Sequence, residues 1–104
     1  MAINNNTVGD TDTSLFLSVG ESAITLMSFC NTSIADRTLS IHIVRNSQSA
    51  SNSNIFIKDI VIPISDSYIA YQGGEKIILS DGDYISAITD SAGDITAIIS
   101  YVVI

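Results

Sequence analysis

The chain has 104 residues, of which 46% are hydrophobic and only 14% charged, and its net charge is −7. That length accommodates one domain with a buried core and leaves too little for a second. The four basic residues, Arg37, Arg45, Lys58 and Lys76, are scattered, which argues against nucleic acid and anionic membranes as partners, because phosphate binding needs clustered Lys and Arg.

Charged residues fall well below the usual share of about 25%. The polar surface is therefore mostly Ser, Thr and Asn, which costs little to desolvate against another protein. Nineteen isoleucines stand against five leucines, and β-branched side chains favour strands. No window of a dozen residues sustains a helical apolar period, so the composition predicts an all-β chain. Cys30 is the only cysteine, so no intrachain disulfide is expected. Its apolar setting in LMSFCN suits a small hydrophobe better than a reactive thiol.

In chain order, residues 1–12 are Asn, Thr, Gly and Asp around isolated Ile3 and Val8. They read as a flexible arm that orders on a partner. Residues 13–104 read as the domain. The first strand candidate is 13–19, with Leu15 and Leu17 on one face and Phe16 on the other. In 22–31, Ile24, Leu26 and Cys30 oppose Ala23, Thr25, Met27 and Phe29. Residues 37–45 alternate with Leu39, Ile41 and Ile43 on one face and Ser40 and His42 on the other.

The tract NSQSASNSN, 46–54, reads as a polar surface loop. In 55–64 the apolar parity slips at Lys58-Asp59, which predicts a turn or bulge there. Pro63 belongs at a strand end or edge, and Tyr68–Tyr71 suits a short strand. Three further strands follow turns at Gly73-Gly74, Asp81-Gly82 and 90–94, and the Asp-Gly and Ala-Gly steps of the last two read as hairpins. The total is about eight short antiparallel strands in a single-domain, jelly-roll-like β-sandwich.

Catalytic patterns are missing from the sequence. His42 is the sole histidine, no nucleophile elbow occurs, and His42 reads as a surface or interface residue, so no enzyme is expected. Asp10/Asp12, Asp81/Asp83 and Asp90/Asp94 have spacings that supply two oxygens to a calcium ion. Asp and Gly are also the residues of tight turns, and the expectation is no metal and no cofactor. Tyr68, Tyr71, Tyr84 and Tyr101 are the only aromatics suited to a sugar site, and core or interface packing is expected of them.

In the last strand, ITAIISYVVI, Ile95, Ala97, Ile99, Tyr101 and Val103 share one face. Thr96, Ile98, Ser100, Val102 and Ile104 share the other, which is largely apolar toward Ile104. Such a face, if exposed, marks an interface, and Ile98, Val102 and Ile104 are its apolar members. With Ile3 and Val8 of the arm, these three are the candidate contact residues for oligomerisation or docking on a larger assembly.

The chain resembles small virion structural proteins of tailed bacteriophages over roughly residues 22–104. The resemblance is carried by the Cys30-Asn31-Thr32 turn ending an early strand, the Leu79-Ser80-Asp81-Gly82-Asp83 turn, and a final strand with Ser100-Tyr101. It implies a non-enzymatic capsid decoration or cement protein, often a homotrimer, docked on the major capsid protein at the virion surface. A tail or neck component and a carbohydrate-binding sandwich for host recognition are the alternatives.

Overall fold

Isoleucine and valine crowd a helical backbone but stand freely on a pleated strand, and strand is the regular structure of the described residues throughout. The computed structural model describes residues 2–72 and 77–104. Among them run β1 (Ala2–Val8), β2 (Thr13–Leu17), β3 (Ser22–Asn31), β4 (Arg37–Val44) and β5 (Ile55–Ile62), followed by β6 (Ser67–Tyr71), β7 (Ile77–Leu79), β8 (Tyr84–Thr89) and β9 (Ile95–Val103).

These strands make two antiparallel sheets. The five-stranded sheet has the order β1-β9-β3-β6, with β7 also bonded to β3, and the four-stranded sheet has the order β2-β8-β4-β5. Pairing is nested about the polar tract between β4 and β5: β4 with β5, then β3 with β6, β2 with β8, and β1 with β9. A ribbon doubled back in this way and wrapped so that its halves face one another is a jelly roll. The short strand β7 is added to that scheme. The all-β sandwich expected from composition is therefore present.

Between the sheets lies one core. Phe29, Met27, Ile24 and Ile99 enter it from the five-stranded sheet, and Leu39, Ile41, Ile62 and Ile85 from the other, all essentially without solvent contact. Tyr101 meets Phe16 across the core with ring centroids 4.5 Å apart and tilted by 48°, a favourable aromatic geometry.

Bulges adjust the phase of several strands. The slip at Lys58-Asp59 is a bulge, as expected: between Leu39↔Ile60 and Ile41↔Ile57 the strand β5 holds one extra residue. Asp59 has φ +50°, and its N–H donates to Ser40 Oγ at 2.9 Å. This bulge lets Ile57, Ile60 and Ile62 all reach the core. Two other bulges overturn the expected faces. An extra residue between Ser14 and Phe16 buries both Leu15 and Phe16 and leaves Leu17 exposed. Another, between Ile24 and Leu26, turns Ile24 inward with Met27 and Phe29.

Residues 2–8 are also a correction. The arm expected over 1–12 is, across Ala2–Val8, an edge strand in unbroken register with β9, from Ala2↔Tyr101 to Val8↔Ile95. The backbone ladder supplies what its polar side chains do not, and Val8 is fully buried. The sandwich thus begins at β1.

The turns at Asp81-Gly82 and 90–94 are not hairpins. β7 and β9 lie in one sheet and β8 in the other, so both turns are corners that carry the chain between layers. Gly82 has φ +85°, and a Cβ there would lie 2.5 Å from the Asn46 side chain, which only glycine avoids. The turn expected at Gly73-Gly74 lies outside the described residues. Pro63 follows the end of β5, an edge strand.

Candidate interaction face

Alternation along a strand turns every second side chain away from the core, and the outward set of the five-stranded sheet differs from ordinary surface. Cα partners place its members in rows. Ile78, Ala23 and Val102 form one row, Leu26, Ser100 and Ile3 the next, and Ile69, Ser28, Ile98 and Asn5 a third. Ile3, Ile69, Ile78, Ile98 and Val102 are between 36% and 65% exposed. None of the five strands contains Asp, Glu, Lys, Arg or His.

Four strands at ~4.8 Å spacing and about nine residues at ~3.4 Å give this face a footprint on the order of 600 Å². A standard protein–protein contact uses about 800 Å² of accessible surface per partner. Chemically the face offers dispersion and apolar burial, with Ser28 and Asn5 as neutral hydrogen-bonding points.

Of the candidate contact residues, Ile98, Val102 and Ile3 are brought together here. Ile104 is exposed just beyond β9, its N–H bonded to Glu21 O at 2.9 Å. Val8 does not belong, because it faces the core at 0% exposure. Its position in the Val8↔Ile95 pair gives it the inward parity of Ile95. Ile69, Ile78 and Leu26 were missed. Their signal lay in SYIAY, IIL and TLM, each too short to show which parity faces out without knowledge of its partner strand. Cys30 sits half-buried on the same face, opposite Ser67 and Thr96.

The acidic residues fasten loops. Asp81 Oδ1 accepts the Gly20 N–H at 2.8 Å. Asp83 accepts the N–H groups of Asn46 and Ser80, each at 2.9 Å. At the other end of the sandwich Asp36 accepts the Ile64 N–H at 2.9 Å, and Asp90 accepts that of Thr38 at 3.3 Å. Arg37 Nε donates to Asp94 Oδ2 at 2.9 Å. Hydrogen bonding from Arg37, helped by Ser91 and by the guanidinium charge, holds the Asp94 carboxyl below its ordinary pKa. Asn31 of the Cys-Asn-Thr turn is buried, and its Nδ2 donates to Ile62 O and Ala35 O, both at 2.9 Å. It therefore ties the end of β3 to the end of β5 in the facing sheet.

His42 lies on the outward side of the four-stranded sheet, directly opposite Ser86 on β8. His42 Nδ1 and Ser86 Oγ are closed off from solvent and have no hydrogen-bond partner among the described residues. The carboxylate of Asp59 is bonded to Ser40 Oγ at 3.1 Å. Of the tyrosines, Tyr68, Tyr71 and Tyr101 pack against the core. Tyr84 points outward and its hydroxyl donates to Gln48 O at 3.3 Å. The four do not share a surface on which a sugar could stack.

Comparison with known proteins finds no family model that matches the chain, no curated protein similar to it and no solved structure that matches it.

Proposed function

We propose that this protein is a non-enzymatic structural subunit that works by protein–protein contact through the outer face of its five-stranded sheet. The observation that carries the reading is the coincidence, on one face, of five exposed aliphatic side chains with a complete lack of charge in the strands that bear them, in a chain of net charge −7. An acidic chain that holds its charge in loops and in the other sheet presents this face as the cheapest one to dehydrate.

The larger assembly we propose is a tailed-bacteriophage virion, with the protein docked on the capsid as a decoration or cement subunit. This rests on the similarity carried by Cys30-Asn31-Thr32, Leu79–Asp83 and Ser100-Tyr101. A jelly roll whose loops are stapled at both ends supports it as a rigid module suited to a shell. The test is a copy count and location in purified particles. Hundreds of copies on the shell are expected. A few to a dozen at one vertex would move the protein to the tail or neck, and absence from particles would end the virion reading. Ile98→Lys, on the docking face, should abolish incorporation while the free protein remains folded.

A further inference from the structure

We propose that β1 is a pairing edge and that its occupant is β1 of a second copy of this chain, joined antiparallel about a two-fold axis. A sandwich has open edges where backbone groups lack a neighbour, and stable monomers guard them with charge, proline, bulges or brevity. Three of the four edges here are guarded. β5 carries Lys58 and Asp59 and is broken by two register shifts. β2 has five residues and a bulge. The far side of the five-stranded sheet is made of β6, five residues with a bulge, and β7, three residues.

β1 has none of these devices. It is seven residues long, AINNNTV, without charge or proline. Its register with β9 is continuous, so the strand presents a regular edge. Alternate N–H and C=O groups of a strand bonded on one side point away from the sheet. Among the described residues, the backbone of Ala2–Thr7 makes no hydrogen bond beyond the β1–β9 ladder. The first group with another partner is Val8 O, which accepts the Gly93 N–H at 2.9 Å.

Charge selects the occupant. Two copies of net charge −7 repel unless they meet where charge is missing, and β1 and its neighbours β9 and β3 contain no charged residue. The nearest acids, Asp10 and Asp12, follow the C-terminal end of β1. Antiparallel pairing sends the two acidic ends in opposite directions, on the order of 30 Å apart, about three Debye lengths at 0.1 M salt. Parallel pairing would stack them. In a register centred on Asn5, the exposed Ile3 of each strand lies opposite Thr7 of the other, and the two five-stranded sheets join into one. Such a dimer is two-fold, so a trimer would need a different surface. Ile3 and Asn5 border the proposed docking face as well as the rim, but the dimer is held by the backbone of the rim, so Ile98→Lys, on β9 inside the face, tells the two proposals apart: it should block docking and spare the dimer.

The experiment is sedimentation velocity of the full chain over a concentration series, with hydrogen exchange of the β1 amides at the two ends of that series. The wild type should form a dimer that dissociates on dilution, with outward β1 amides protected only when dimeric. Asn5→Lys, at an exposed position, should weaken the dimer about tenfold or more by placing like charges across the two-fold. Thr7→Lys serves in its place if Asn5→Lys does not fold. Ile98→Lys should leave the dimer intact. A monomer at every concentration, a dimer insensitive to the edge lysines, or one abolished by Ile98→Lys alone would overturn the proposal.

Discussion

The outward rows of the five-stranded sheet carry Ile3, Ile69, Ile78, Ile98 and Val102 and no charge. The four-stranded sheet also exposes Leu17, Phe56 and Val61, but there they stand with Lys58, Asp59 and His42 among Ser40, Ser86 and Tyr84. Both sheets alternate, and both send a mainly apolar set inward, so the contrast does not come from the needs of the core. It separates two tasks. The four-stranded face closes its two middle strands and mixes charge with what it exposes: Val44 and Ser86 are shut off from solvent, the Tyr84 hydroxyl reaches the polar tract at Gln48, and the exposed Leu17, Phe56 and Val61 lie on the edge strands. The five-stranded face leaves aliphatic side chains in water, which is unfavourable for an isolated molecule and favourable for one that is later covered.

The sharpest way to break this contrast is to place the same charge on each face. Val44→Asp buries a carboxylate without a partner and should cost roughly 3 kcal/mol or more, while Ile98→Asp should change stability by only about 0.5 kcal/mol. Denaturant midpoints of the two variants measure the difference, and equal losses would erase the distinction between the faces. The corner that joins β7 of one sheet to β8 of the other comes next. Gly82→Ala meets both the positive φ and the Asn46 side chain and should cost about 1–2 kcal/mol, read as a lower thermal midpoint. Gly20→Ala, where φ is also positive but space is open, should cost less.

The smallest effect expected is electrostatic. The Asp94 pKa is lowered in the folded protein, so its contribution is fully present above the ordinary carboxylate pKa. It fades as pH falls below about 4 and is lost once pH passes beneath the lowered value. Arg37→Gln should therefore be slightly less stable than wild type at neutral pH, with a gap that closes in acid. A gap that widened in acid would assign Arg37 a different role.

The sheets themselves were largely legible. Nineteen β-branched isoleucines and their period of two located most strands. The parity break at Lys58-Asp59 revealed a bulge because the apolar residues on both sides of it are unambiguous. The apolar residues at both parities of β9 pointed to the exposed aliphatic side chains of the five-stranded sheet. β1 was not legible, since its Asn run shows no apolar alternation and its partner lies at the other end of the chain. The bulges in β2 and β3 were hidden because apolar residues at both parities allow either phase. Asp-Gly steps signalled sharp turns correctly but misled as hairpins. Glycine sets the reversal, whereas the need to bury two apolar faces chooses which sheet receives the next strand.

Nested pairing also bears on the order of assembly. Loop closure is cheapest for β4 with β5 and most expensive for β1 with β9, which predicts that the ribbon zips outward from the polar tract and that β1 docks last. A substitution in β1 would then accelerate unfolding and leave the refolding rate nearly unchanged, and the newest arrival in each folding event would be the same strand that leaves its flank bare.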